Sequence, residues 1–295
     1  MSEQAKKTEN TLTVRTYPKI NLTLDVLGVL PNGYHEVEMI MQTVRLFDEV
    51  TVTLEPERGE IRISSDKFYV PCDSRNTAYK AAQFFFEAFP QKKCGVHIYI
   101  KKNIPVAAGI AGGSCNAAGV LKALNRLTGV HAGKRRLMEI GAKVGADVPY
   151  CILGGTAVAR GIGCDLTRIS PAPQMILCMA KPNFSVSTAA VYKEIDAAEV
   201  LSHPDTNGMI AAIEKGSIEE IAGKLSNVLE AVTIKNHPAV QKVKDKMTEC
   251  GALGCVMSGS GPTVFGIFPN YKSAYKARAE LRKFVKFAEV TKTKN

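Results

Sequence analysis

The chain has 295 residues, 45% of them hydrophobic and 22% charged, with a formal net charge of +10. That length and balance suit one large or two ordinary folded domains and argue against disorder. No apolar run approaches the about 20 residues of a membrane span, and the eight cysteines are scattered without Cys-x-x-Cys pairs, as expected of a reducing, cytoplasmic protein with neither disulfide framework nor structural zinc.

The excess of basic residues is spread along the chain, with short runs only at Lys101-Lys102, Lys134-Arg135-Arg136 and the C-terminal end. Base-stacking proteins interleave aromatic with basic residues. That pattern is missing, so neither nucleic acid nor membrane is an expected partner. The first ten residues are polar and lack an apolar signal core, and read as a frayed tail.

Residues 11–26 read as strands, with Leu22, Leu24 and Val26 alternating against Thr23 and Asp25. Lys19 lies inside this apolar stretch, where a lysine must snorkel, pair or work. Pro31-Asn32-Gly33 is turn chemistry; it delivers Tyr34 and His35 to a strand over 37–46. Segments 50–52 and 61–63 are expected as further strands of the same sheet. A helix over 76–89 presents Ala78, Ala81, Ala82 and Phe85 on one face.

Val96, Ile98 and Ile100 then alternate with His97, Tyr99 and Lys101, the period of a half-buried strand. After it comes Pro105-Val106-Ala107-Ala108-Gly109-Ile110-Ala111-Gly112-Gly113-Ser114, followed by Ala117, Val120, Leu121 and Leu124 at helical spacing. Strand, glycine turn and helix form a device for holding phosphate. Glycines allow close approach, and the first helical N–H groups point at the anion. A tight connection that binds nothing has the same composition. The P-loop signature is absent, because no Lys follows Gly113, and G-x-G-x-x-G does not fit either.

A helix over 133–144 should end at Gly145, with Pro149 forbidding continuation, so that Asp147 sits on a short rigid connection. Ser170-Pro171-Ala172-Pro173 reads as the domain boundary, dividing 1–169 from 170–295. Beyond it a buried strand over 175–180 precedes a helix carrying Val191 and Tyr192, with Ser187 as its N-cap. Helices follow around Met209 and Ile218 and over 238–250. Met257-Ser258-Gly259-Ser260-Gly261-Pro262-Thr263 joins strands over 254–257 and 264–268, and a helix over 274–284 with a short strand finishes the chain.

Residues 105–118 resemble the second motif of the GHMP kinases (galactokinase, homoserine kinase, mevalonate kinase and their relatives), a loop that wraps ATP phosphates. The Ser258 loop resembles their third motif. Pro18-Lys19-Ile20-Asn21-Leu22, Gly33-Tyr34-His35-Glu36 and Gly145-Ala146-Asp147-Val148-Pro149 resemble one branch of that family, whose substrate is 4-diphosphocytidyl-2-C-methyl-D-erythritol. The resemblance implies an α+β two-domain fold, with an N-terminal domain of the ribosomal-S5-like α/β type that binds ATP and a ferredoxin-like C-terminal domain. It implies an ATP-dependent kinase of that substrate's 2-hydroxyl, in non-mevalonate isoprenoid synthesis, acting as a monomer or weak homodimer. Asp147 would accept the alcohol proton, and Lys19 beside it would favour the alkoxide. Residues 105–114 would hold the phosphates, Ser114 the Mg²⁺, and Asn76 and Lys102 would lie near the adenine. Asn21, Tyr34, His35 and Tyr192 would receive the substrate, its cytosine between the two tyrosine rings. Alternatives are another small-alcohol kinase of the family, homoserine- or mevalonate-kinase-like, and a non-catalytic RNA-binding S5-like protein. Pro18 where Ala is common, Ile110-Ala111 where Leu-Gly is common and Asn116 where Asp is frequent depart from the pattern.

Overall fold

The structure is a computed structural model that describes residues 7–196 and 202–295. In chain order come β1 (Lys7–Thr8), β2 (Thr11–Thr16), β3 (Lys19–Val29), β4 (His35–Thr43), β5 (Asp48–Glu55), β6 (Ile61–Ser65), α1 (Thr77–Ala88) and β7 (Gly95–Lys101). They are followed by α2 (Gly112–Leu127), α3 (Lys134–Val144), α4 (Val148–Leu153), β8 (Thr156–Arg160), β9 (Asp165–Arg168) and β10 (Ile176–Lys181). The remainder is α5 (Thr188–Ile195), α6 (Thr206–Lys215), α7 (Ile218–Gly223), β11 (Ser226–Asn227), α8 (Glu230–Asn236), α9 (Ala239–Glu249), β12 (Gly254–Met257), β13 (Val264–Phe268), α10 (Tyr271–Leu281) and β14 (Phe287–Lys292).

Two compact units interleave along the chain: 1–18, 46–106 and 111–153 form one, 19–45, 107–110 and 154–295 the other. The first holds a sheet of order β1-β2-β5-β7-β6, antiparallel except where β6 runs parallel to β7. Val96, Ile98 and Ile100 are buried as their alternation predicts, and they join Leu12, Val50 and Val52 in one core with Phe85 of α1 and Leu121 and Leu124 of α2. The expected frayed tail is only partly tested. Residues 1–6 lie outside the described residues, while β1 pairs with β2 as a hairpin.

The second unit contains a sheet of order β11-β3-β4-β8-β9 and another of order β12-β13-β10-β14. With α9 and α10 packed on it, the latter sheet has the β10-α9-β12-β13-α10-β14 path of a ferredoxin-like domain. Strands β12 and β13 match their sequence expectation residue for residue.

One expectation needs correction. Strands β5 and β6 do not continue the sheet of β3 and β4; they belong with β2 and β7. The chain changes sheets at Tyr17-Pro18, where proline cannot donate to a ladder, and again between Thr43 and Asp48. Within β3, Thr23 and Asp25 are buried along with Leu22 and Leu24, so its alternating pattern belongs to a strand covered on both faces there. Thr23 offsets its burial by accepting from the Ile40 N–H through Oγ1 at 3.1 Å.

Candidate active site

Backbone makes the turn before α2. Ala107, Gly109 and Ala111 take φ of 47°, 73° and 58°, the left-handed region that costs a side-chain-bearing residue about 1–2 kcal/mol. Ala111 is the N-cap of α2 and offers no side-chain bond to the first turn, so the helix begins with N–H groups that an anion can satisfy. Contacts explain the glycines. A Cβ on Gly112 would sit 2.9 Å from Ile104 Cγ2, and one on Gly113 would sit 3.1 Å from Thr77 Oγ1. Thr77 Oγ1 also donates to the Gly113 carbonyl at 2.8 Å, pinning the turn to α1.

Under Gly112 lies a polar network. Lys102 Nζ is paired with the Asp48 carboxylate and donates to Asn116 Oδ1 at 3.1 Å. Asn116 Nδ2 donates to Asp48 Oδ2 and to Thr16 Oγ1, each at 2.9 Å. Asp48 Oδ1 accepts from the backbone N–H groups of Asn103 and Ile104 at 2.7 and 2.8 Å. All four side chains are buried. The network also gives a reason for the Asn116 departure: a carboxylate there would face Asp48 as a like charge in a dry site, whereas the amide donates to it. Lys102, expected near the adenine, thus spends its ammonium inside the fold. Asn76, expected beside it, caps α1 by accepting from the Ala78 N–H at 2.9 Å and donates to the Pro71 carbonyl at 2.6 Å. Asp48 was missed by sequence reasoning, although a buried lysine implies a carboxylate partner. Burial pushes the Cys115 thiol, in the first turn of α2, up to about 12, which makes it unreactive.

In the second unit, the start of β3 meets two glycine loops. Lys19 is buried and its Nζ donates to Asn21 Oδ1 at 2.7 Å, while its N–H donates to the Ile110 carbonyl at 3.2 Å. Ser258 Oγ accepts from the Asn21 N–H at 3.3 Å and donates to the Gly109 carbonyl at 3.1 Å. Any Cβ on Gly109 would overlap the Ser258 carbonyl, and one on Gly259 would lie 2.7 Å from the Gly109 carbonyl. Lys19, Asn21, Gly109 and Ser258 are therefore held as one knot, with the Lys19 ammonium hydrogen-bonded to the neutral Asn21 amide.

At the other end of the β3–β4 hairpin, Gly33 takes a φ of 81° and Asn32 Oδ1 accepts from the Tyr34 N–H at 3.1 Å. His35, the first residue of β4, lies with its ring 5.1 Å from that of Tyr192 on α5, and its Nε2 is 2.9 Å from Asp196 Oδ1. Ser187 caps α5 as expected, accepting from the Ala190 N–H at 3.4 Å. Tyr34 is 63% exposed, and its ring has no aromatic partner among the described residues.

Asp147 belongs to the first unit. Gly145 ends α3 with extended backbone rather than a left-handed cap, and Pro149 does not stop a helix but occupies the first turn of α4, where its missing N–H costs nothing. Asp147 thereby becomes the residue before α4, its carbonyl accepting from the Cys151 N–H at 3.1 Å. Lys19 lies in the second unit.

Among the described residues no cluster of three acidic, His or Cys side chains could cage a metal. Mg²⁺ in nucleotide sites takes few protein ligands and many phosphate and water oxygens, so a single hydroxyl such as Ser114, half-buried in the first turn of α2, fits that demand.

The chain matches the model of the GHMP kinases N terminal domain over residues 76–155 and that of the GHMP kinases C terminal over 209–286. It is 48% identical, over 95% of its length and 96% of the relative's, to a 4-diphosphocytidyl-2-C-methyl-D-erythritol kinase of Caldicellulosiruptor saccharolyticus. It is 50% identical to the like-named kinase of Alkaliphilus metalliredigens over 89% of this chain and 91% of that one. A crystal structure of 4-(cytidine 5'-diphospho)-2C-methyl-D-erythritol kinase superposes with a TM-score of 0.81 at 29% identity, covering 96% of this chain and 99% of that one. The chain therefore belongs to the GHMP kinases and, within them, to the family of the 4-diphosphocytidyl-2-C-methyl-D-erythritol kinases.

Proposed function

We propose that this protein transfers the γ-phosphoryl group of ATP to the 2-hydroxyl of 4-diphosphocytidyl-2-C-methyl-D-erythritol. The relatives' shared name supports the substrate, and the single structural observation that carries it is the packing of His35 against Tyr192, 5.1 Å between rings tilted by 47°, which sets an aromatic face beside a polar ring edge, a pairing suited to a pyrimidine. Phosphoryl transfer needs in-line positioning and neutralisation of charge more than covalent chemistry. The N–H groups of residues 109–114 hold the phosphates. Ser114 holds Mg²⁺ with the nucleotide, and the ion when bound supplies charge neutralisation. Asp147 takes the proton of the 2-hydroxyl as its oxygen bonds to the γ-phosphorus and ADP leaves. Lys19, fixed by Asn21, stabilises the developing alkoxide. Asn76 and Lys102 serve the nucleotide as supports, one fixing the start of α1 and the other bracing the turn from beneath.

The substrate's cytosine rests between Tyr34 and Tyr192 with His35 at its polar edge. The domain division is proposed at 169/170, between the two family matches. The enzyme is proposed to work in the cytoplasm as a monomer or weak homodimer, without nucleic-acid or membrane partners; among the described residues no helix is long and apolar enough to cross a membrane. A coupled ADP-release assay over a panel of alcohols tests this. Turnover is expected with the diphosphocytidyl substrate alone, and turnover confined to homoserine or mevalonate would overturn it.

A further inference from the structure

His35 is a base-reading group only if its ring nitrogens have defined roles, and the structure defines one of them. Tyr192 and Asp196 lie four residues apart and so project from the same side of α5. His35 docks against both: its ring packs on Tyr192 and its Nε2 meets Asp196 Oδ1 at 2.9 Å. Asp196 is an unexpected residue for this place. It is the C-cap of α5, where the partial negative charge of the helix end disfavours a carboxylate. Its hydrogen bond to His35 is the one interaction recorded for its side chain among the described residues.

An ionised carboxylate has only acceptors. Nε2 must therefore carry the hydrogen, and in the neutral ring Nδ1 is left as a bare acceptor. The His35 side chain is only 12% exposed, and Nδ1 has no partner among the described residues. Nδ1 is open to solvent, since Thr263 Oγ1 is the one buried side-chain polar atom without a partner among the described residues, and a ligand donor can take the place of water there. Cytosine presents an amino donor at its 4-position, where uracil, like thymine, presents a carbonyl acceptor. The first would complete the ring's hydrogen bonding and the second would set acceptor against acceptor.

We propose that Asp196 is the positioning residue that makes the site choose cytosine over uracil, by holding His35 as the Nε2–H tautomer. The inference rests on the reading of His35 as the pyrimidine contact. Asp196 itself touches no substrate; its effect passes entirely through the imidazole. A site that exposes a fixed polar group discriminates strongly, because the wrong ligand leaves that group unpaired. Asn at this position supplies both an acceptor and a donor, so either tautomer is accommodated and the choice is lost. Glu keeps the acceptor-only character.

The test uses the full chain with CDP and UDP as probes, their dissociation constants measured by calorimetry for the unmodified protein, Asp196→Asn and Asp196→Glu. The unmodified protein should prefer CDP. Asp196→Asn should shrink the CDP-to-UDP preference by roughly tenfold, about the worth of a hydrogen bond to a charged group, partly through tighter UDP binding. Asp196→Glu should retain the preference. If Asp196→Asn weakens CDP and UDP equally, Asp196 merely braces α5 and the inference is wrong, while the pyrimidine site stands. Should the unmodified protein bind the two nucleotides equally, or neither, the pyrimidine reading of His35 falls and takes the inference with it.

Discussion

The turn before α2 and the face of His35 and Tyr192, braced by Asp196, are built by opposite means. The turn offers backbone: left-handed residues at 107, 109 and 111 and a helix start without a side-chain cap. Its last residues rest on Lys102, Asp48 and Asn116, all buried and mutually bonded. The His35 face offers side chains, and Asp196 is half exposed. Backbone N–H groups suit any phosphate and cannot easily tell one alcohol from another, whereas side chains at an open edge can change singly. Damage to the first region should therefore be all-or-none, and damage to the second graded and ligand-specific.

The chemical step should give the largest effect if Asp147 is the proposed base. Asp147→Asn keeps shape but cannot take a proton, and general-base catalysis is worth about 10²–10⁴-fold. A fall in kcat of that size is expected with ATP affinity and melting temperature preserved. Near-normal turnover combined with a lower melting temperature would make Asp147 a turn residue only.

Next in size is Asp48→Ala. It strands the Lys102 ammonium and the N–H groups of Asn103 and Ile104 in a dry interior. Breaking a buried pair from one side costs about 3–5 kcal/mol, to be read from urea unfolding, and the nucleotide site should fail with it. A loss below about 1 kcal/mol, the scale of an exposed pair, would mean that the turn does not depend on its support.

On the other face the expectation is smaller and selective. Tyr192→Ala removes one stacking ring, worth roughly 1–3 kcal/mol or 5- to 150-fold. KM for the diphosphocytidyl substrate should rise by that factor while KM for ATP holds. Equal changes in both would erase the contrast between the two regions.

These differences trace to what a sequence can express. Local patterns were legible: the alternation of Val96, Ile98 and Ile100, the Ser187 cap, and the strands flanking the Ser258 loop all stand as read. The motif residues could be named for the same reason, because each motif is a contiguous run. Long-range partners were not. Nothing local marks Asp48 as the acceptor for N–H groups of Asn103 and Ile104, or Asp196 as the partner of His35. The assignment of β5 and β6 to the wrong sheet has the same origin, since strand pairing depends on which edge is free and not on composition. Pro149 shows the limit of a one-residue rule, being a helix stop inside a helix but harmless in its first turn.

The smallest expected effect sharpens the comparison most directly. Replacing Ala by Gly in an ordinary position loosens the unfolded chain and costs about 0.5–1 kcal/mol. Ala107 is not ordinary, because its φ of 47° places its Cβ against the following carbonyl, a strain of about 1–2 kcal/mol that glycine releases. The two terms nearly cancel, and Ala107→Gly should leave stability within about 1 kcal/mol of the starting value or slightly above it. Ala118→Gly, a buried position inside α2, has no strain to release and loses packing as well, so it should be clearly destabilised by about 1 kcal/mol or more. The informative readout is ATP affinity of the Ala107 variant. A turn whose shape is held by an over-determined surrounding keeps its affinity when the strain is removed, because Gly109 remains clamped to Ser258. One that depends on the alanine to restrict its own backbone loses affinity without losing stability. Only the first outcome agrees with a phosphate site built by its supports, and calorimetry of ATP binding beside thermal melting of the two variants distinguishes them.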